Sequence, residues 1–76
     1  MTYKEKFKTG LLKIIGLNIR KIRREKELRQ QDIADMLGIA RTSVVHIENG
    51  YQSISVTKLY YLSVILKVEI SEFFKA

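Results

Sequence analysis

The 76-residue chain has no cysteine and no proline, and only four glycines and one histidine. Without cysteine there is no disulfide framework, no thiolate metal site and no cysteine nucleophile, a usage that fits a cytoplasmic protein. A single histidine, His46, with no cysteine beside it does not make a metal site. Long apolar runs are missing too. "LLKIIGL" and "YYLSVIL" are interrupted and fall far short of the roughly 20 residues that span a bilayer, so no membrane partner is expected. The lysines and apolar residues at the start resemble a signal peptide only superficially. Lys13 splits the apolar part, and Arg20 to Arg24 follow with no small-residue cleavage site. There is no low-complexity segment, no internal repeat and no linker long enough to separate domains. Paired carboxylates, a nucleophile–base pattern and a phosphate-cradling glycine loop are all absent, so neither an enzyme nor a cofactor is expected.

What is present is a globular composition, 46% apolar and 29% charged, in a length that allows one small domain with one core. Such a core is marginal, and small domains often gain stability by oligomerising. The net charge of +6 is unevenly placed. Residues 1–29 carry 10 Lys/Arg against 3 acids, a balance of +7, and residues 30–76 carry 4 against 5, a balance of −1. An excess confined to one third of the chain suggests a polyanionic partner, although a solvated charged face would look the same.

Apolar spacing predicts only helices. Leu11, Leu12, Ile15, Ile19 and Ile22 predict a first helix over about 11–26. Gly16 lies inside it, where a close contact with another helix would offset its low helix propensity. Ile33, Ala34 and Leu37 mark a second helix, about Gln30 to Leu37, with Gly38 as a left-handed stop. A third runs from Arg41 to about Asn49, with Gly50 as its stop. Ser55 caps a fourth through Leu66, with Val56, Leu59, Leu62 and Leu66 facing the core. A short last helix carries Ile70, Phe73 and Phe74. No stretch alternates with period two. The expected fold is all-α, a compact five-helix domain, with residues 1–10 a basic N-terminal arm or helix extension and residues 11–76 the folded domain.

The second and third helices, joined by Gly38, Ile39 and Ala40, form a helix-turn-helix. Counting Gln30 as the first position, apolar residues fall at the fourth, eighth, tenth, fifteenth and eighteenth: Ile33, Leu37, Ile39, Val44 and Ile47. Ala34 falls fifth, where the helices approach, and Gly38 ninth, where the turn needs positive φ. With "NIRKIR", "QQDIADMLGI", "RTSV" and "IENG", the segment from Ile15 to Phe74 resembles the phage-repressor (Cro/C1-type, lambda-repressor-like) helix-turn-helix family.

The resemblance implies a sequence-specific double-stranded DNA-binding regulator, usually a repressor. Its third helix would lie in the major groove, and a dimer would bind a two-half-site operator. With Val44 and Ile47 packed inward, Arg41, Thr42, Val45 and His46 face outward as base-reading candidates. Arg41 can take guanine O6 and N7 together, and Val45 a thymine methyl. Gln30, Asn49 and Gln52 match phosphate-contacting positions, and Ser43, Arg20 and Lys21 are further candidates. Tyr51 stands where many members carry Lys or Arg and still offers a hydroxyl to phosphate. Arg23 and Glu48 match a buried structural ion pair. Departures from the pattern are Arg29 and Ala40 at the cap positions of the second and third helices, Lys67 in place of glycine, and Ile54 where proline is frequent. Tyr61, Val64, Ile65 and Phe74 lie largely off the core face and suggest a homodimer interface. Two alternatives remain: a controller protein of a restriction–modification system, and an antitoxin-like module whose main partner is a toxin protein.

Overall fold

The computed structural model describes residues 1–76, as four α-helices and a C-terminal 3-10 turn: α1 Tyr3–Glu25, α2 Gln30–Leu37, α3 Arg41–Glu48, α4 Val56–Leu66 and the turn Ile70–Phe74. No helix is long and apolar enough to cross a membrane. At about 1.5 Å rise per residue, the 23 residues of α1 account for the longest dimension of the molecule, 36 Å.

The first helix begins at Tyr3, well before Leu11, and runs through Gly10 without a break. Thr2 caps it, its Oγ1 accepting from the Glu5 amide at 3.2 Å, and Glu5 places negative charge at the positive end of the helix dipole. Every residue from 1 to 10 is exposed, so this part of the helix rests on capping and propensity rather than burial.

Eleven apolar residues form the core: Ile15, Ile19 and Ile22 of α1, Ile33 and Ala34 of α2, Val44 and Ile47 of α3, Leu59, Leu62 and Leu66 of α4, and Phe73. Leu11, Leu37 and Ile70 pack against its edge. Val56 does not join them. It opens the first turn of α4, outside the packed layer, and is 74% exposed, which corrects the expectation that it faces inward. Phe73 is fully buried and Phe74 is partly exposed, at 43%. The last element is a 3-10 turn rather than an α-helix. Asn18 pins it to α1, donating from Nδ2 to the carbonyls of Phe73 (3.0 Å) and Lys75 (2.7 Å).

Gly16 marks where α1 meets α3. A Cβ there would lie 2.7 Å from the Glu48 carbonyl oxygen and would collide with that of Ile47. No other residue type fits this crossing at its present separation. Gly38 ends α2 in the left-handed region, φ 65°. Lys67 adopts the same conformation at the end of α4, φ 57°, where a side chain costs about 1–2 kcal/mol relative to glycine.

Candidate nucleic-acid interface

The outward face of α3 is set by its inward one. Val44, Ile47 and Glu48 are buried. The helical repeat then turns Arg41, Thr42 and His46 fully outward and leaves Val45 half-buried at the margin. Ser43 is half-buried, its amide bonded to the Ala40 carbonyl at 3.0 Å. Ala40 provides no side-chain cap.

The chain secures this helix through Glu48, whose side chain has no exposure. Its carboxylate accepts from Arg23 Nε at 2.7 Å and Arg23 Nη2 at 3.0 Å, a fork that joins α1 to the last turn of α3. The hydrogen bonds to Glu48 raise the Arg23 pKa above its already high ordinary value, against the opposing effect of burial. Arg23 Nη1 also donates to the Leu28 carbonyl at 3.0 Å, tying down the α1–α2 loop.

Gln30 and Arg41 extend the network to the surface. Gln30 Nε2 donates to Glu48 Oε1 at 3.2 Å, and Gln30 Oε1 accepts from Arg41 Nη1 at 3.3 Å. Both ends of the Gln30 amide are thus engaged within the protein, and one of its two amide hydrogens stays free. Residue spacing shows neither contact, and the sequence by itself places Gln30 and Arg41 on DNA separately. Arg20 flanks the cluster with its Nε 3.7 Å from Glu48 Oε1 and no hydrogen-bond partner of its own. Its side chain is 37% exposed.

Asn49, Tyr51 and Gln52 are exposed in the turn after α3. Gly50, φ 77°, lets this turn pass over α1: a Cβ there would lie 3.0 Å from Lys13 Cγ and 3.2 Å from Lys13 Cα. Lys13, Arg20, Glu48 and Asn49 therefore share one edge of the molecule, around a shallow cleft. Lys21 is not on it. One residue along a helix turns about 100°, and Lys21 instead lines clefts with Val68, Glu69 and Glu72 on one side and Ile14, Leu17 and Lys75 on the other. Lys21 and Arg20 therefore lie on different faces of α1.

At the start of α2, Arg29 replaces the usual cap, and Asp32 supplies what it lacks. The Asp32 carboxylate accepts from the Arg29 amide at 2.8 Å and from Arg29 Nη2 at 2.9 Å. The Arg29 guanidinium, and secondarily its amide, hold the Asp32 pKa below the usual carboxylate range, and the Arg29 pKa is raised in turn. On α4 and the C-terminal turn, Tyr61, Val64 and Phe74 are exposed and Ile65 is half-buried. Tyr60, exposed beside them on α4, enlarges this patch.

An all-helical domain in which a short second helix supports an outward-facing third one is a helix-turn-helix domain. A helix-turn-helix family model matches residues 19–73. The restriction-modification controller protein C.AhdI from Aeromonas hydrophila is similar at 30% identity, over 83% of this chain and 96% of that one, with a TM-score of 0.75. A point mutant of the controller protein C.Esp1396I is similar at 31% identity, over 84% and 81% of the two chains, TM-score 0.72. The hypothetical transcription factor NHTF from Neisseria shares the fold at 23% identity, over 86% and 75%, TM-score 0.76. No curated protein matches. The chain belongs to the helix-turn-helix family, the Cro/C1-type class of DNA-binding transcriptional regulators.

Proposed function

We propose that the protein regulates transcription as a homodimer on a two-half-site operator, with α3 in the major groove. The observation that carries this reading is the outward row Arg41, Thr42 and His46 on a helix whose other face is locked into the core. Only in the major groove are all four base pairs distinguishable, and it admits one helix. Arg41 is assigned bidentate readout of guanine, worth about 1–3 kcal/mol of discrimination. Thr42 and His46 take neighbouring base edges, and Val45, half-buried, grazes a thymine methyl. Gln30, through its free amide hydrogen, and Ser43, Asn49, Tyr51, Gln52 and Arg20 contact phosphates flanking the groove. Tyr61, Val64, Ile65 and Phe74 form the isologous dimer surface.

Similarity to two restriction-modification controller proteins, each at 30% identity or more, favours a controller role as the specific setting. Nothing on the molecule favours a toxin partner. The test is selection of bound duplexes from a random library at about 150 mM salt, near physiological ionic strength. The expected result is one enriched motif with inverted half-sites about one helical turn apart. Arg41→Ala relaxes the motif at one position per half-site, and Arg20→Ala weakens all sequences alike. Salt-sensitive binding with no enriched motif would overturn the reading.

A further inference from the structure

Three residues of the basic excess fall in one row along α1. Lys6, Lys13 and Arg20 are seven residues apart, a spacing that returns an α-helix to within about 20° of the same face. Their neighbours three and four residues away along the helix are Thr2, Tyr3, Thr9, Gly10, Gly16, Leu17, Arg23 and Arg24. None is acidic. All four ion pairs in the protein lie elsewhere or end on Arg20, so Lys6 and Lys13 have no carboxylate partner. Both are exposed. The row starts at the interface edge, where Arg20 flanks Glu48 and Lys13 lies under Gly50, next to Asn49. It then continues to Lys6, on the part of α1 that no core contact requires and that lies outside the matched family segment.

We propose that Lys6 and Lys13 form a second, sequence-independent DNA contact, in which the N-terminal half of α1 follows the phosphate backbone beyond the groove occupied by α3. The proposal rests on the DNA-binding reading above and adds to it a site of known reach. At about 1.5 Å per residue, Arg20 to Lys6 spans about 21 Å, the rise of about six base pairs. The helix is continuous from Tyr3, so this reach is a fixed rod rather than a loose tail whose ordering would oppose binding.

The test compares wild type with Lys6→Gln/Lys13→Gln on the selected operator, by fluorescence anisotropy between about 50 and 200 mM salt. Lys4→Gln/Lys8→Gln, on the opposite side of α1, removes equal charge as a control. Each lost phosphate contact lowers the slope of log K against log salt by about 0.9. The row variant therefore loses about 1.8 per bound chain. From 50 to 200 mM salt, wild-type affinity falls about tenfold more steeply per chain than that of the variant, and about a hundredfold for a dimer. The control keeps the wild-type slope. Circular dichroism confirms that both variants fold. An unchanged slope in the row variant overturns the proposal and leaves the apolar side of this segment, Tyr3 and Phe7, to be explained by a protein partner. An equal loss in row and control overturns it in favour of diffuse attraction. Failure of the wild type to bind any operator would instead sink the DNA reading itself, and is distinguishable for that reason.

Discussion

The Arg23–Glu48 pair offers the sharpest energetic prediction. Glu48→Leu removes the acceptor of two Arg23 hydrogen bonds and of one from Gln30. The Arg23 side chain is only 10% exposed, so its charge is left buried without a partner. Breaking a buried pair from one side costs about 3–5 kcal/mol. A domain of this length has a total stability of about 4–11 kcal/mol. Glu48→Leu therefore removes at least about a quarter of that stability, and at the lower limit unfolds the chain. Arg23→Met leaves the buried carboxylate with only Gln30 and the more distant Arg20, and costs less than Glu48→Leu while remaining destabilising. The double variant strands no charge and leaves only the part-buried Gln30 amide and Leu28 carbonyl without these partners. Replacing both members of a buried pair by apolar groups is often neutral or stabilising by about 1–4 kcal/mol, so the double variant lies much closer to wild type than either single. Urea titrations followed by far-ultraviolet circular dichroism, with sulfate added where a single variant is marginal, measure all four proteins. Costs below about 1 kcal/mol for each single, adding in the double to within about 0.5 kcal/mol, would refute the argument. The pair would then be an exposed contact in effect, whatever its geometry.

Three other variants test separate features. Gly16→Ala drives a methyl group into two carbonyl oxygens of α3, and because backbone cannot retreat as a side chain can, it costs about 3 kcal/mol or more, lowering Tm by over 10 °C in a thermal scan. A cost below about 1 kcal/mol would mean that α1 and α3 separate freely. Lys67→Gly relieves a left-handed non-glycine residue and stabilises by about 0.5–1 kcal/mol after the added freedom of the unfolded chain is counted, raising Tm by about 2–8 °C; no rise would show that Lys67 makes a compensating contact. Asp32→Asn lowers Tm at pH 7. The folded-state pKa of Asp32 is depressed, so its stabilisation is complete above the unfolded value near 3.9 and is lost as pH falls through the folded value. The difference in Tm between wild type and variant accordingly narrows below about pH 4, and a pH-independent difference would rule out the carboxylate's charge as its source.

The parts of the fold that were readable in sequence are those where one residue type has one physical reason. Gly38 and Ser55 punctuate α2 and α4 at the residues where those helices end and begin. Gly16 inside a helix marks a close approach, and α3 is what approaches. The start of α1 was not readable from apolar periodicity, which detects burial, because nothing from Tyr3 to Gly10 is buried. Val56 has core-like spacing from Leu59 but falls one turn ahead of the packed layer. The exposure of Arg41, Thr42 and His46 followed from Val44 and Ile47. The link from Glu48 through Gln30 to Arg41 did not, because it depends on side-chain rotamers that no spacing encodes. Lys21 shows the same gap for charge: a count of basic residues does not separate faces of a helix.

The polar network also answers a problem that this architecture creates. On the proposed reading the outward face of α3 is kept free for DNA, so only its inward face can hold the helix, and that face offers two buried apolar residues, Val44 and Ile47. Apolar contact is non-directional and does little to fix how an eight-residue helix is rotated about its own axis. A bidentate guanidinium–carboxylate fork is directional. Placed on the residue next to Ile47 and answered from α1, it fixes that rotation and with it the aim of Arg41, Thr42 and His46. Gln30 then carries the constraint from α2 to the Arg41 guanidinium itself. On this argument the buried charge is retained for orientation rather than stability. The Arg23→Met/Glu48→Leu protein separates the two: it is expected to keep its fold yet lose much of its operator discrimination, and full wild-type discrimination in that protein would show that Val44 and Ile47 suffice.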